Sequence, residues 1–256
     1  IIEKSTSGLS ALISAAFLFS ATAHASGGHS EIIRQVTDRG LKVVSSFKAV
    51  DGMTGYVLDS KGSPVTIYVT RDGEHAFVGT LIDKNGANLS APKVQELFID
   101  AQNKQAWSKL ENSHWIQDGN PNAETVIYAF VDPNCPYCHR FRTAALPWLN
   151  AGTVQIRHIV VGVLAHDSVA KAATILGSKK PLGAYIKNFE SFRSGGIVPV
   201  DDASERGQAK VEANNRLMSE LGVSATPGIY YKDGTGTVGV RLGLPPENEF
   251  KRIMNP

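Results

Sequence analysis

The chain has 256 residues, with 26 Lys and Arg against 24 Asp and Glu and a formal net charge of +2. No polybasic block occurs, which argues against nucleic acid as a partner. Its two cysteines are too few for a disulfide-stapled scaffold, and the chain is long enough to bury its cores without staples.

In chain order, the first signal is the apolar run Leu9–Ala21, preceded by Lys4 and followed by Ala23-His24-Ala25. The run is shorter than the roughly 20 residues a bilayer span needs. With its small-x-small site it has the anatomy of a secretory signal peptide, with cleavage expected after Ala25. The mature chain is expected to be exported, soluble and without a membrane span.

Ile32–Arg39 is expected to be a short helix. Leu41–Val50, Met53–Asp59, Val65–Thr70 and His75–Asp83 read as strands, punctuated by Asp51-Gly52, Lys61-Gly62, Asp72-Gly73 and Asn85-Gly86. A sheet this small needs something to cover a face or an edge. The cover is either the rest of the chain or a second copy.

Pro92 opens a helix to about Asn112. At 100° per residue, Val94, Leu97, Phe98 and Ala101 share one face, and Ile99, Ala106, Trp107 and Leu110 share the opposite one. That change of face suits a bridge between two bodies. From Asn122 the pattern becomes α/β. Thr125–Val131 and Val154–Val161 are buried strands, with a helix from Cys135 to about Leu149 between them. Helices follow near 167–178, 181–193 and 203–221, then strands at Gly228–Tyr231 and Val238–Leu242 and a last helix at Pro246–Met254.

Both cysteines lie in Asp132-Pro133-Asn134-Cys135-Pro136-Tyr137-Cys138-His139, where a buried strand gives way to a helix. Unpaired N–H groups and the macrodipole at a helix start favour a thiolate, so the Cys135 pKa is expected to fall. Pro136 loses nothing near the first helical position. Cys138, one turn along, is within disulfide reach. Cys135, exposed at the helix tip, is then the nucleophile, and Cys138, deeper, resolves the mixed disulfide. Cys-x-x-Cys-His also fits covalent haem attachment, with Met53, Met218 and Met254 as the available methionines. A zinc site lacks two further ligands at suitable spacing. His75, His114, His158 and His166 read as ordinary surface or core residues. Trp107, Trp115 and Trp148 read as packing residues. Tyr137 reads as exposed and substrate-facing. Thr226-Pro227, before a short strand, is a position where a cis-proline fits.

The strand, the Cys-Pro-Tyr-Cys helix start and the later Thr-Pro resemble the thioredoxin fold. The phrases "VTIYVTRDGEHAFVG", "SHWIQDG", "FVDPNCPYCHRF" and "ATPGIYY" resemble the DsbC/DsbG family of periplasmic thiol:disulfide interchange proteins, on its DsbG side. The resemblance implies an α+β protein, with a C-terminal thioredoxin-like domain joined by a linker helix to a small, strand-rich, cystatin-like dimerisation domain. Residues 1–25 would be the signal peptide and 26–90 the dimerisation domain. Residues 91–121 would be the linker helix and connection, and 122–256 the catalytic domain. It further implies Cys135 and Cys138 as a redox-active disulfide with no other cofactor and no metal. Pro136, Tyr137, Thr226 and Pro227 would bind substrate, with Pro227 cis. The implied partners are a second copy of the chain, misfolded or cysteine-oxidised periplasmic proteins, and a membrane thiol reductase of the DsbD type. The implied activities are disulfide isomerisation and reduction, sulfenic acid reduction and chaperoning. The chain departs from the pattern at His139, where Lys is expected, and at Gly228, where Ala is expected. A non-enzymatic holdase is the rival from another class.

Overall fold

A computed structural model describes residues 31–256, so the expected signal peptide lies outside the described residues. Helix α1 (Glu31–Thr37) precedes a four-stranded antiparallel sheet of β1 (Lys42–Lys48), β2 (Thr54–Ser60), β3 (Ser63–Val69) and β4 (Ala76–Val78), paired in that order. Ile33 of α1 is buried against Tyr56, Leu58, Ile67 and Val69, which closes one face. The strand expected over His75–Asp83 is reduced to Ala76–Val78. Beyond it Ile82 makes only an isolated bridge to Asn88.

The long helix starts at Ser90. It runs as α2 (Ser90–Val94), a π turn (Gln95–Ile99) and α3 (Asp100–Glu111). The Tyr68 hydroxyl meets Ser90 Oγ at 2.5 Å, which ties the first sheet to the helix start. The π turn adds a residue to the helical repeat and shifts the face that follows. Phe98 is buried within it, Ala101 is exposed, and Ala106, Trp107 and Leu110 are buried on the second sheet. The π turn contacts β1 and α3 contacts β9, as a bridging helix should.

The second sheet has the order β5-β7-β6-β8-β9, from β5 (Trp115–Gly119), β6 (Thr125–Val131), β7 (Val154–Val160), β8 (Gly228–Lys232) and β9 (Val238–Leu242). Only β6 and β7 are parallel. Strand β5 corrects the sequence reading, which left Trp115–Gly119 in a connection within 91–121. It pairs antiparallel with β7, Asp118 opposite Ile156. Along β6 the side chains alternate between two cores. Ile127, Ala129 and Val131 face the core built with α4 (Pro136–Ala151), α5 (Ser168–Gly177) and α8 (Glu247–Met254). Tyr128 and Phe130 face the core closed by α3 and Met218 of α7 (Asp201–Glu220). Helix α6 (Pro181–Glu190) completes the fold beside the start of α4. Among the described residues no helix is long and apolar enough to cross a membrane.

Candidate active site

Strand β6 ends at Val131, and the chain turns through Asp132-Pro133-Asn134 into α4. Polar groups from distant segments fix this turn. The buried Asp132 carboxylate accepts from Asn134 N and Ser168 Oγ, both at 2.8 Å, and from Val163 N at 2.7 Å and Leu164 N at 3.0 Å. Asn188 of α6 donates to the Pro133 carbonyl at 3.0 Å. Lys171 of α5 donates to Asn134 Oδ1 at 2.8 Å and pairs with Asp167 at 2.7 Å. None of these partners was singled out from the sequence. The local signal of Ser168, Lys171 and Asn188 was only a polar residue in an apolar setting, and the contacts that bring them to the turn span more than 30 positions.

Cys135 is the N-cap of α4, and Pro136 takes the first helical position. The Cys138 N–H donates to Cys135 Sγ at 3.0 Å, and Cys135 Sγ donates to the Thr226 carbonyl at 3.3 Å. Both cysteines are free thiols. The expected exposure of Cys135 is corrected: the residue is only 2% exposed. Thr226, 91 positions later, lies over it. Cys138 is buried as expected. The Thr226–Pro227 bond is cis, and both residues are buried beside the sulfurs. Pro136 is exposed, and Tyr137 is 52% exposed. The six expected site residues are thus brought to one place.

The two sulfurs differ electrically. A hydrogen bond from the Cys138 side chain does most to stabilise the Cys135 anion, and burial opposes it. Thr226 and the N–H groups of Cys138 and Tyr137 add to the pull, which brings the Cys135 pKa from 9.0 down to about 7. Burial, then Cys135 itself, pushes Cys138 well above 9.0. Among the described residues the buried Thr226 hydroxyl has no hydrogen-bond partner, and it favours either sulfur as the anion. The sequence argument assigned the low pKa to the helix start. In the structure the helix's own N–H groups rank behind the neighbouring thiol and Thr226.

Asp132, Cys135, Cys138, His139, Tyr185, Asn188, Phe189 and Phe192 line a crevice with about 10 Å³ of free space, near the least that holds one water. The His139 ring stacks on Phe189 at 4.3 Å and lies 4.9 Å from Phe192. At Gly228, an added Cβ would collide with the Val223 side chain, which accounts for glycine there.

Below the crevice lies a charged cluster that sequence reasoning missed. Arg142 of α4 donates to Asp118 of β5 through Nε at 2.7 Å and Nη2 at 3.4 Å. His158 of β7, read from the sequence as ordinary, lies with Nε2 at 3.2 Å from the same carboxylate. All three are buried. Burial opposes the Asp118 charge, but His158 and Arg142 outweigh it and hold the carboxyl below its ordinary value. Burial also lowers the His158 pKa, which favours the neutral ring, and Arg142 supplies the standing positive charge.

Residues 116–255 match the family model described as a thioredoxin-like domain. The chain is 36% identical over 224 residues to the thiol:disulfide interchange protein DsbG of Pseudomonas aeruginosa, covering 88% of each chain. It is 36% identical over 228 residues to DsbG of Escherichia coli, covering 87% of this chain and 90% of the relative. Against the Escherichia coli thiol:disulfide interchange protein DsbC the identity is 26% over 192 residues, covering 74% of this chain and 72% of the relative.

Proposed function

Because this chain belongs to the DsbG family of thiol:disulfide interchange proteins, with a thioredoxin-like domain, we propose that Cys135 is its attacking sulfur and Cys138 its resolving one. Thiol:disulfide interchange is the family's activity, and the protein is an enzyme of that class. The observation that carries the assignment is the split between the sulfurs: one accepts an N–H at 3.0 Å and is drawn to about 7, and the other is pushed up by burial. A thiolate at Cys135 attacks a substrate disulfide and expels one substrate sulfur. Cys138 then attacks Cys135, releases the second substrate sulfur and closes the Cys135–Cys138 disulfide. No other cofactor and no metal enters this scheme. Pro136, Tyr137, Thr226 and Pro227 form the substrate-binding rim. The open apolar edge of the first sheet supports a homodimer built from residues 26–90.

The same chemistry extends to sulfenic acids. Attack on a substrate S–OH forms the same mixed disulfide and releases water, and Cys138 then returns the substrate thiol. Exposed Tyr137, Val163 and Leu164 near the turn that Asp132 holds support binding of unfolded chains, hence a chaperone role. The apolar run at Leu9–Ala21 supports export to the periplasm. There a membrane thiol reductase of the DsbD type would keep the pair reduced.

Alkylation of the reduced chain by iodoacetamide tests the assignment. The Cys135 pKa is lowered, so the thiolate is present above about pH 7 and is lost as pH falls through that value. Burial of Cys135 slows the reaction at every pH without moving its midpoint. The expected result is modification of Cys135 alone, with a midpoint near 7. A midpoint at the ordinary thiol value, or reaction first at Cys138, overturns the assignment. Cys135→Ala should abolish exchange while leaving suppression of aggregation intact; retained exchange would favour the holdase.

A further inference from the structure

The sheet order puts β8 on one flank of β6 and β7 on the other. Thr226 and Pro227 border the redox turn from the β8 side, where Gly228 pairs with Phe130. The opposite side belongs to the chain that follows β7. Val161 N donates to the Val131 carbonyl at 2.9 Å, so this chain leaves the sheet level with the redox turn.

Five consecutive N–H groups, from Val161 to Ala165, are turned inward. Gly162 N donates to Asn215 Oδ1 of α7 at 3.0 Å, and Asn215 Nδ2 returns a bond to the Gly162 carbonyl at 3.3 Å. A Cβ at Gly162 would lie 2.6 Å from Val169 Cα, so the loop is pressed on the start of α5. Val163 N and Leu164 N donate to Asp132 Oδ2 at 2.7 and 3.0 Å, and Ala165 N donates to Ser168 Oγ at 3.0 Å. Asp132 Oδ1 meanwhile accepts from Asn134 N, so one carboxylate fixes both the loop tip and the residue before Cys135.

With its donors used inside, the loop presents side chains outward. Val163 is 48% exposed, Leu164 is 54% exposed, and Ala165 is exposed. Among the described residues, the carboxylates beside the tip are engaged. Asp132 holds four donors, and Asp167 holds Lys171 at 2.7 Å and Asn134 at 2.8 Å. His166 follows in solvent, where any charge is screened. The tip is therefore apolar and already in place, and little ordering remains to be done when a side chain lands on it.

Resting on the assignment of Cys135 as the attacking sulfur, we propose that Val163 and Leu164 are specificity-determining residues for the exchange: they form the β7-side wall of the substrate site and receive an aliphatic side chain next to the substrate's reactive cysteine. Continuity with the redox turn argues for this occupant, since Asp132 joins the tip to the residue before Cys135. An aliphatic neighbour buries apolar area on both surfaces. A charged neighbour is dehydrated against the tip with no free N–H from residues 161 to 165 to compensate it.

Symmetric disulfides of a short peptide, Gly-Xaa-Cys-Xaa-Gly with Xaa as Leu, Ser or Asp, test this on the reduced full chain. Attack on either sulfur gives the same product, so release of peptide thiol reads attack by Cys135. Each rate is divided by that of glutathione on the same peptide, which removes the peptide's own reactivity. The Leu peptide should react about tenfold faster than the Ser peptide, from partial burial of one aliphatic side chain, and the Asp peptide should be slowest. In Val163→Ser combined with Leu164→Ser, the Leu-to-Ser ratio should fall to about one through loss of the Leu rate. If that pair misfolds, Leu164→Lys, at a half-exposed side chain, should slow the Leu peptide and favour the Asp peptide, less so at high salt. Equal rates for the Leu and Ser peptides in the unsubstituted chain overturn the proposal, as does a ratio that survives the substitutions. A surviving ratio joined to loss of a dimer in sedimentation would give the tip to a second copy. Release from none of the peptides by the unsubstituted chain would instead defeat the assignment of Cys135.

Discussion

The two sheets finish their cores differently. The second sheet is covered on both faces, and its central strand β6 buries Ile127, Tyr128, Ala129 and Phe130 completely. The first sheet buries one face under α1. Its other face carries the Phe47–Tyr68–Phe77 ring contacts, at 6.0 and 5.1 Å, with Phe77 42% exposed. At its β4 edge Val78 is 68% exposed, and Ile82 beyond it is 60% exposed. An apolar edge strand left open is a place for another chain to pair. One region is complete by itself and holds the chemistry. The other leaves an apolar edge uncovered among the described residues, where the proposed second copy would pair.

That contrast is most strongly broken from inside the second sheet. Arg142→Met leaves Asp118 buried with only a neutral histidine beside it, and loss of one partner of a buried pair costs about 3–5 kcal/mol. Hydrogen exchange should then speed up in β5 to β9 while β1 to β3 keep their protection. Adding Asp118→Leu should recover part of the loss, since the stranded charge is gone. Equal loosening of both sheets would mean that they unfold as one unit. A smaller effect is expected between α5 and α7, which cross where Gly177 meets Ala203 and Gly207 meets Ala173. A methyl at Gly207 would run into the Ala173 carbonyl oxygen. Gly207→Ala should therefore cost about 1–3 kcal/mol, read from thermal or denaturant unfolding, with the first sheet unaffected.

The parts legible in the sequence were those whose signal is local. The apolar run Thr125–Val131 is β6 to the residue, and Cys135 stands at the start of α4. The Val, Ile, Tyr and Thr content of β2 and β3 and the Lys61-Gly62 turn between them were also visible. Strand β5 was not, because Trp-Ile-Gln-Asp-Gly carries two polar residues, and Asp118 is buried by partners 24 and 40 positions away. The burial of Cys135 depends on Thr226, 91 positions away in sequence. His158 reads as unremarkable for the same reason, since its meaning comes from the carboxylate 40 positions away. The change of face along the long helix was legible and only its cause was not, because a wheel drawn at one fixed angle cannot register the extra residue of a π turn; Ala101, placed on the early face, is exposed.

The gentlest test lies at the open edge. Val78→Lys places a charge on β4, the device by which edge strands avoid pairing. Val78 is mostly exposed, so the folded chain should lose less than about 0.5 kcal/mol. If β4 pairs or packs with a second copy, burying that ammonium costs far more than its exposure does. Sedimentation should then show a monomer where the unsubstituted chain is a dimer. Exchange with a small disulfide should stay within about twofold, because the sulfurs and Thr226 belong to the other region. Reduction of a large unfolded substrate should weaken, since two catalytic domains no longer share it. A chain that stays dimeric would move the interface away from β4. A monomer that also loses exchange with the small disulfide would show that the chemistry leans on the partner, and the two regions would no longer be separable.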